Sequence, residues 1–301
     1  MNPILERQTR PQNLRKVAAQ RVSYTNAKTI QGWQIVLTVG VATLLTVLAI
    51  WYEAIAGIVA LCSIGLVLID FIAFEPAINK LKMQGAQIQE SFDCAVLDID
   101  CAIFKATDPE IEDVLEKSDA IMRLKEGDKE KIEGWYSEKI EPLPPRLARL
   151  VCQRSNFKWD TGLRKRYIKF LWVPIVLLIS SVFIASYAFE IDFNHFVLVV
   201  ASVLPALVFF FKQKQQNNEA VARLDELAKQ FNEIWRRINE KSISDEEIDK
   251  VARQLQDEIY QHRMQSPLVP DFYYKIYRDT DEDFMNRAVQ EYVATTQTQS
   301  Y

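Results

Sequence analysis

Four long apolar blocks dominate the pattern of hydrophobic and polar positions along the chain. Residues 32–52, 170–189 and 193–211 contain no charged side chain, and residues 54–74 contain only Asp70. A helix needs about 20 residues to cross the ~30 Å hydrocarbon core of a bilayer. Each block is therefore predicted to be a transmembrane helix, because four buried core helices of this length and composition are not expected in one soluble chain.

The four blocks form two pairs, each joined by a short turn. Glu53 is the one charge in the first turn, whereas Glu190 and Asp192 lie in the second. Lys and Arg cluster at the ends of the blocks that are opposite to these turns. The positive-inside rule therefore places both termini and the central linker in the cytoplasm.

We predict a mainly α, integral membrane protein whose two helical hairpins carry a mostly helical cytosolic domain, built from the central linker and the C-terminal region. The predicted segments are an N-terminal cytosolic segment 1–31, hairpin 1 at 32–74, a cytosolic linker 75–167, hairpin 2 at 168–211 and a cytosolic C-terminal region 212–301.

The polar regions show mainly helical spacing. Ser244 and Glu247 form a capping-box signature, which predicts a helix start. Alternation over residues 94–104 indicates a short strand. Apolar residues that are alternately four and three positions apart predict a helical seam. We expect this seam to pack within its own subunit, and a role between subunits is the alternative. The seam consists of Leu224, Ala228, Phe231, Trp235 and Ile238.

Charge and cysteine content exclude several classes of protein. The chain has 36 Lys and Arg against 40 Asp and Glu, a net charge of −4, which disfavours a DNA- or RNA-polymer binder. Its cysteines show no CxxC spacing, so free thiols are predicted. They are Cys62, Cys94, Cys101 and Cys152.

No enzyme signature is visible. The chain lacks a Gly-rich phosphate loop, an HExxH motif and a nucleophile elbow. Neither His195 nor His262 has a sequence neighbour that suggests a metal site or a catalytic base. We therefore predict no catalytic residue, no metal and no cofactor.

Four residues in the apolar blocks are candidates for a pore or gate. Asp70 is costly in lipid, and indicates either a cation or gating site or a carboxylate that reaches interfacial water. Thr38 and Thr46 share one helix face, which suits close helix packing or a wet pore. Pro205 lies in the middle of its block, where a kink could serve as a gate.

Two polar segments next to the membrane are candidates for ligand binding or coupling. Arg side chains can grip phosphate oxygens and aromatic rings can stack on nucleobases. The alternatives are a juxtamembrane anchor for lipid headgroups and, in the tail, packing on the membrane-proximal helices. The candidates are Arg154, Asn156, Trp159, Arg164 and Arg166 before the third block, and Tyr273, Tyr274 and Arg278 in the tail.

Several segments, taken in order around the two hairpins, resemble a known family. They are Ala18-Ala19-Gln20-Arg21 with Tyr24 and Ala27-Lys28, then Ile88-Gln89-Glu90-Ser91-Phe92-Asp93, then residues 153–167, and finally residues 266–278. Together they resemble the SMODS-associated four-transmembrane effectors, pore-forming proteins of bacterial cyclic-oligonucleotide antiphage systems.

The resemblance implies a function. A functionally linked nucleotidyltransferase would make a cyclic di- or oligonucleotide, which this protein would bind in its cytosolic part. The protein would then oligomerise or rearrange and permeabilise the inner membrane, causing abortive infection. Its partners would be the messenger, the lipid bilayer and further copies of itself. The alternatives are a ligand-gated ion channel without lytic assembly and a membrane scaffold that recruits a cytosolic partner, with an enzyme on a membrane base ranked last.

Overall fold

The computed structural model describes residues 2–100, 110–122 and 134–298, and is built from helices. We number them α1 (Pro3–Gln8), α2 (Pro11–Trp51), α3 (Glu53–Leu97), α4 (Ile111–Met122), α5 (Pro145–Ala188), α6 (Phe193–Asn239), α7 (Asp245–Gln265) and α8 (Asp271–Thr298). A short 3-10 turn covers Glu138–Ile140. Helix α2 contains a π-helical segment at Val36–Val41, and α3 contains one at Asp70–Phe74.

The predicted membrane spans are confirmed as helices. Within the described residues, α2, α3, α5 and α6 are long and apolar enough to cross a membrane. The mainly α fold class is confirmed as well. Each of these helices continues past its apolar block into polar sequence, so the chain is helical on both sides of all four predicted segment boundaries.

The apolar parts of the long helices form a membrane bundle that buries small side chains. Ala49, Ala56 and Val199 are fully buried in its core. Large apolar side chains face outward instead, and Leu61 and Ile72 are 70% and 71% exposed. This arrangement suits a lipid environment, where outward apolar groups carry no penalty.

The polar parts of the four long helices form a second unit with α1, α4, α7 and α8, which we call the head. Its core is built on large buried rings, among them Phe92, Phe157 and Phe231. The predicted seam packs into this core, which confirms packing within the subunit. Four of its residues are buried there and the fifth packs against them: Leu224, Ala228, Phe231, Trp235 and Ile238.

Local signals differ in how well they predict structure. The capping box is confirmed: Ser244 Oγ accepts from the Glu247 amide at 3.2 Å, and the Glu247 carboxylate accepts from the Ser244 amide at 3.0 Å. The predicted strand is wrong for residues 94–100. Residues 94–97 end α3, because Phe92 and Val96, four residues apart, share the helical face that packs into the head core. Asp98 then adopts a left-handed conformation with φ of 58°, and residues 98–100 continue without regular structure. Residues 101–104 of that segment lie outside the described ranges.

Three of the predicted free thiols are described. Cys62, Cys94 and Cys152 form no disulfide bond within the described residues, and Cys101 lies outside them.

Candidate functional site

The head contains a cavity of about 1010 Å³ between the polar parts of α2, α3 and α5 on one side and α7 and α8 on the other. Small-molecule sites typically enclose about 300–1,000 Å³, so the cavity is large enough for a sizeable ligand. Lys and Arg outnumber Asp and Glu in its lining. The cations are Arg21, Lys28, Lys82, Lys139, Arg164, Arg263 and Arg278, and the acids are Glu138, Asp160, Asp271 and Glu282. Its aromatic lining includes Tyr24, Trp135, Tyr136, Trp159 and Tyr274.

The cavity brings together five of the residues proposed from sequence for ligand binding or coupling. The ring centroids of Trp159 and Tyr274 lie 6.4 Å apart, although the two residues belong to different helices. The Nε of Arg278 lies 3.9 Å from a Glu282 carboxylate oxygen, which is a weak pairing. The five residues are Asn156, Trp159, Arg164, Tyr274 and Arg278.

The other three candidates lie outside the cavity lining. The guanidinium of Arg154 lies over the Tyr292 ring, 4.6 Å from its centroid. Arg166 forms an ion pair with Asp281. Tyr273 is buried in a small aromatic and aliphatic cluster next to the membrane. Their contacts suit a role in coupling the tail to α5 better than direct contact with a ligand in the cavity.

Arg164 holds the cavity wall together. Its Nε donates to Asp160 at 2.7 Å, and its Nη1 donates to Asn217 at 2.7 Å and to the Pro267 carbonyl at 3.0 Å. His262 shares the same Asp160 oxygen at 2.5 Å. Since these contacts join α5, α6, α7 and the segment before α8, Arg164 is a structural tie as well as a cation at the cavity.

Lys82 is a cavity residue that sequence reasoning missed. Only 5% of it is exposed, and its Nζ donates to Asn79 Oδ1 at 2.9 Å. No carboxylate of the described residues lies within 4.0 Å of this amine. Burial, with a smaller contribution from Arg164, lowers the pKa of Lys82 to about 8, and the more distant Glu75 carboxylate opposes this shift. It lies about two turns beyond Phe74 on α3, outside the apolar block.

A buried amine with no carboxylate partner favours an anionic ligand, because an anion compensates the lost hydration. In sequence, Lys82 is one of many cations flanking the spans. No local pattern separates it from those that remain in solvent.

A short connection joins the cavity wall to the membrane bundle. The segment between α7 and α8 lines the cavity, and its Leu268 carbonyl accepts from Gln31 Nε2 at 3.1 Å. One turn further along α2, Gln34 Nε2 donates to Asp70 Oδ1 at 2.5 Å. Two hydrogen bonds that lie one helical turn apart on α2 therefore connect the cavity wall with Asp70.

Asp70 is buried where the bundle meets the head, with 7% of the residue exposed. The π-helical segment Asp70–Phe74 begins at this residue, and Val36–Val41 begins just after Gln34. Such segments occur frequently at functional sites. The structure thus places a charged side chain and two irregular helical segments at one level of the bundle.

The remaining pore candidates also lie inside the bundle. Thr38 and Thr46 are buried, and each hydroxyl donates to the backbone of its own helix. Thr46 Oγ1 also accepts from Ser202 at 3.0 Å, and Ser63 donates to the Ser202 carbonyl at 3.0 Å. Pro205 is buried within α6. These hydroxyls are satisfied in this packing, as expected for contacts between closely spaced helices.

A smaller cleft of about 680 Å³ lies at the start of α5. Its Arg146 donates to Asp245 and Asp249, and Arg149 donates to Asp249. Because carboxylates already occupy both guanidinium groups, the larger cavity is the better candidate for an anionic ligand.

Four membrane-crossing helices and a head with a cationic, aromatic cavity define a multi-pass α-helical membrane protein with a candidate small-anion site. Residues 2–292 match the SMODS-associating 4TM effector domain, and the chain belongs to this family, as the resemblance predicts. It is therefore a membrane effector of nucleotide-signalling antiphage systems, associated with SMODS nucleotidyltransferases, and the domain is not a known catalytic one. No curated protein and no solved structure matches the chain.

Proposed function

We propose that the head faces the cytoplasm and binds a cyclic di- or oligonucleotide in its large cavity. Binding then rearranges or oligomerises the protein, which permeabilises the inner membrane and causes abortive infection. The observation that supports this proposal most directly is the position of Lys82 at the wall of a cavity that also carries aromatic rings. Lys82 is a buried amine that forms no ion pair with a carboxylate in the part of the chain that the structure describes.

The cavity supplies the two kinds of contact that a cyclic nucleotide needs. Lys82 and Arg278 would pair with phosphodiester oxygens, since charge-assisted hydrogen bonds are roughly twice as strong as neutral ones. Trp159 and Tyr274 would stack on bases, a contact worth about 1–3 kcal/mol per base.

Three of the helices that line the cavity, α2, α3 and α5, also cross the membrane, which gives binding a route to the bundle. A ligand shifts a conformational equilibrium only by its difference in affinity for the two states. About 4 kcal/mol is enough for a thousandfold shift. The contacts from Leu268 through Gln31 and Gln34 to Asp70 are the proposed path of that shift.

The experiment uses the full-length protein in dye-loaded liposomes with a panel of cyclic di- and oligonucleotides, and titration calorimetry for binding. Leakage is expected with a specific messenger and not without one. Lys82→Met should weaken binding about 10- to 100-fold, since one charge-assisted hydrogen bond contributes about 1.5–3 kcal/mol. It should also leave the unfolding temperature unchanged or raise it, because an apolar side chain removes the cost of a buried charge.

Lys80→Met is the matched control. Lys80 lies on α3 like Lys82, but it is exposed and does not line the cavity. Indifference of the liposomes to the whole panel, or messenger affinity that Lys82→Met leaves unchanged, contradicts the proposal. Passage of small ions without dye would favour the channel alternative. A stable cytosolic partner without any permeability would favour the scaffold.

A further inference from the structure

The two short turns lie together at the end of the bundle away from the head. Glu53 begins α3 directly after the first turn, while Asp192 and His195 lie at the start of α6 after the second turn. Each of these three side chains offers one metal-binding atom, and the three atoms lie within 4.8 Å of one another. The group joins both hairpins, so no local sequence spacing reveals it.

The ring of His195 is held so that one of its nitrogens can bind a metal ion. Only 8% of it is exposed, and its Nε2 lies 2.5 Å from the Ala49 carbonyl oxygen. A carbonyl oxygen can only accept, so Nε2 carries the proton and Nδ1 keeps its lone pair. No residue in the described part of the chain forms a hydrogen bond with Nδ1. Metal-binding histidines usually donate their second ring N–H to a carbonyl or carboxylate in this way.

The two carboxylates complete the set. One Asp192 oxygen accepts from the amides of Asn194 and His195, at 2.8 and 3.2 Å, which orients the carboxylate at the helix start. Glu53 and Asp192 are exposed, so their side chains can close around an ion without breaking a buried contact. A bound divalent cation would be neutralised by the two negative charges.

The donor chemistry selects the class of metal. One imidazole nitrogen and two carboxylate oxygens, with bonds of about 2 Å, leave a fourth position for water, as in open Zn²⁺ sites. Mg²⁺ and Ca²⁺ prefer oxygen ligands alone. The nitrogen ligand therefore favours Zn²⁺ and similar transition metals.

We propose that Glu53, Asp192 and His195 bind one Zn²⁺-type divalent ion that links the outer turns of the two hairpins. The link restrains separation of the hairpins at this end, so the ion stabilises the bundle as it is packed here. The site does not depend on nucleotide binding, and its test needs no messenger.

The test is direct metal binding to the full-length protein in detergent, prepared without a histidine tag. Zn²⁺ is titrated by calorimetry, and Co²⁺ is used as a spectroscopic probe whose visible absorption reports nitrogen and oxygen ligation. One Zn²⁺ per chain is expected, with a rise in the unfolding temperature and no comparable response to Mg²⁺. Glu53→Gln and Asp192→Asn should each weaken Zn²⁺ binding at least about tenfold. Asn preserves the helix cap, so Asp192→Asn should still fold.

Glu190→Gln is the control, because Glu190 is an exposed carboxylate in the same turn but lies outside the group. It should leave Zn²⁺ affinity unchanged. The absence of Zn²⁺ binding, affinity that is insensitive to Glu53→Gln and Asp192→Asn, or an equal loss in Glu190→Gln would each overturn the proposal. The last result would mean that the turn attracts cations only through its net charge.

Discussion

The same four long helices pack differently in the head and in the membrane bundle. In the head they bury large rings such as Phe157 and Phe231, and Asp93 of α3 forms a buried ion pair with Arg263 of α7 at 2.6 Å. In the bundle they bury small aliphatic side chains and neutral contacts such as Ser202 to Thr46 at 3.0 Å. One set of helices is thus stabilised by two different kinds of interaction.

The difference follows from the solvent. In water, the removal of large apolar surfaces drives folding, by about 25 cal/mol per Å². In lipid this driving force between helices is absent, and close packing of small residues with a few hydrogen bonds replaces it. We therefore expect the head to be the half whose packing is more stable. The bundle should be the half whose helices rearrange at a low cost in free energy.

The largest expected effect is in the head. Arg263→Ala leaves Asp93, which is fully buried, without its ionic partner. Loss of one member of a buried pair typically costs about 3–5 kcal/mol, because a charge remains uncompensated. Thermal or denaturant unfolding followed by tryptophan fluorescence should show a strong loss of stability.

Arg287→Ala is the control for this measurement, since its ion pair with Asp283 is exposed. Exposed pairs contribute about 0–1 kcal/mol. Similar losses in Arg263→Ala and Arg287→Ala would show that the Asp93 network does not stabilise the head, and the contrast between the two halves would lose its basis.

The membrane bundle was predictable from sequence because lipid constrains every residue that it contacts. A long apolar run with at most one charge is enough to identify each span, whatever its neighbours are. The seam and the capping box were predictable for a related reason, since both depend on residues within a few turns of one helix.

The cavity could not be predicted in the same way. Its lining comes from five helices far apart in sequence, so Tyr24, Lys82 and Arg263 meet Trp159 only in the folded chain. The basic and aromatic segment before the third span indicated part of the wall, because its chemistry is locally dense. It did not distinguish Arg164, which faces the cavity, from Arg154, which packs over Tyr292.

A smaller effect is expected from His262, which ties the cavity wall to α7. Burial lowers its pKa below the usual 6.5, with Arg164 and Arg223 adding to that shift and Asp160 opposing it. The folded head therefore favours the neutral ring. Its contribution to stability is complete above about pH 6.5, the pKa of an unperturbed histidine, and is lost as the pH falls toward the lowered folded-state value.

Unfolding temperatures measured between pH 7.5 and 5.5 should fall for the wild-type chain. They should fall less for His262→Gln, which cannot take up the proton. Equal pH dependence of the unfolding temperature in both proteins would show that protonation of His262 does not destabilise the head. The effect is smaller than that of Arg263→Ala because protonation leaves the packing of the side chain in place.

The smallest effect is expected in the bundle. Ser202→Ala removes the side-chain hydrogen bond to Thr46 and leaves the Ser202 carbonyl available to Ser63. Hydrogen bonds between membrane helices contribute about 0.6 kcal/mol on average, because the partners find other groups when separated. Unfolding of the detergent-solubilised chain should therefore shift only slightly. A loss as large as that in Arg263→Ala would mean that neutral contacts hold the bundle as firmly as ion pairs hold the head. A low-cost rearrangement of the membrane helices would then be excluded as the response to a messenger.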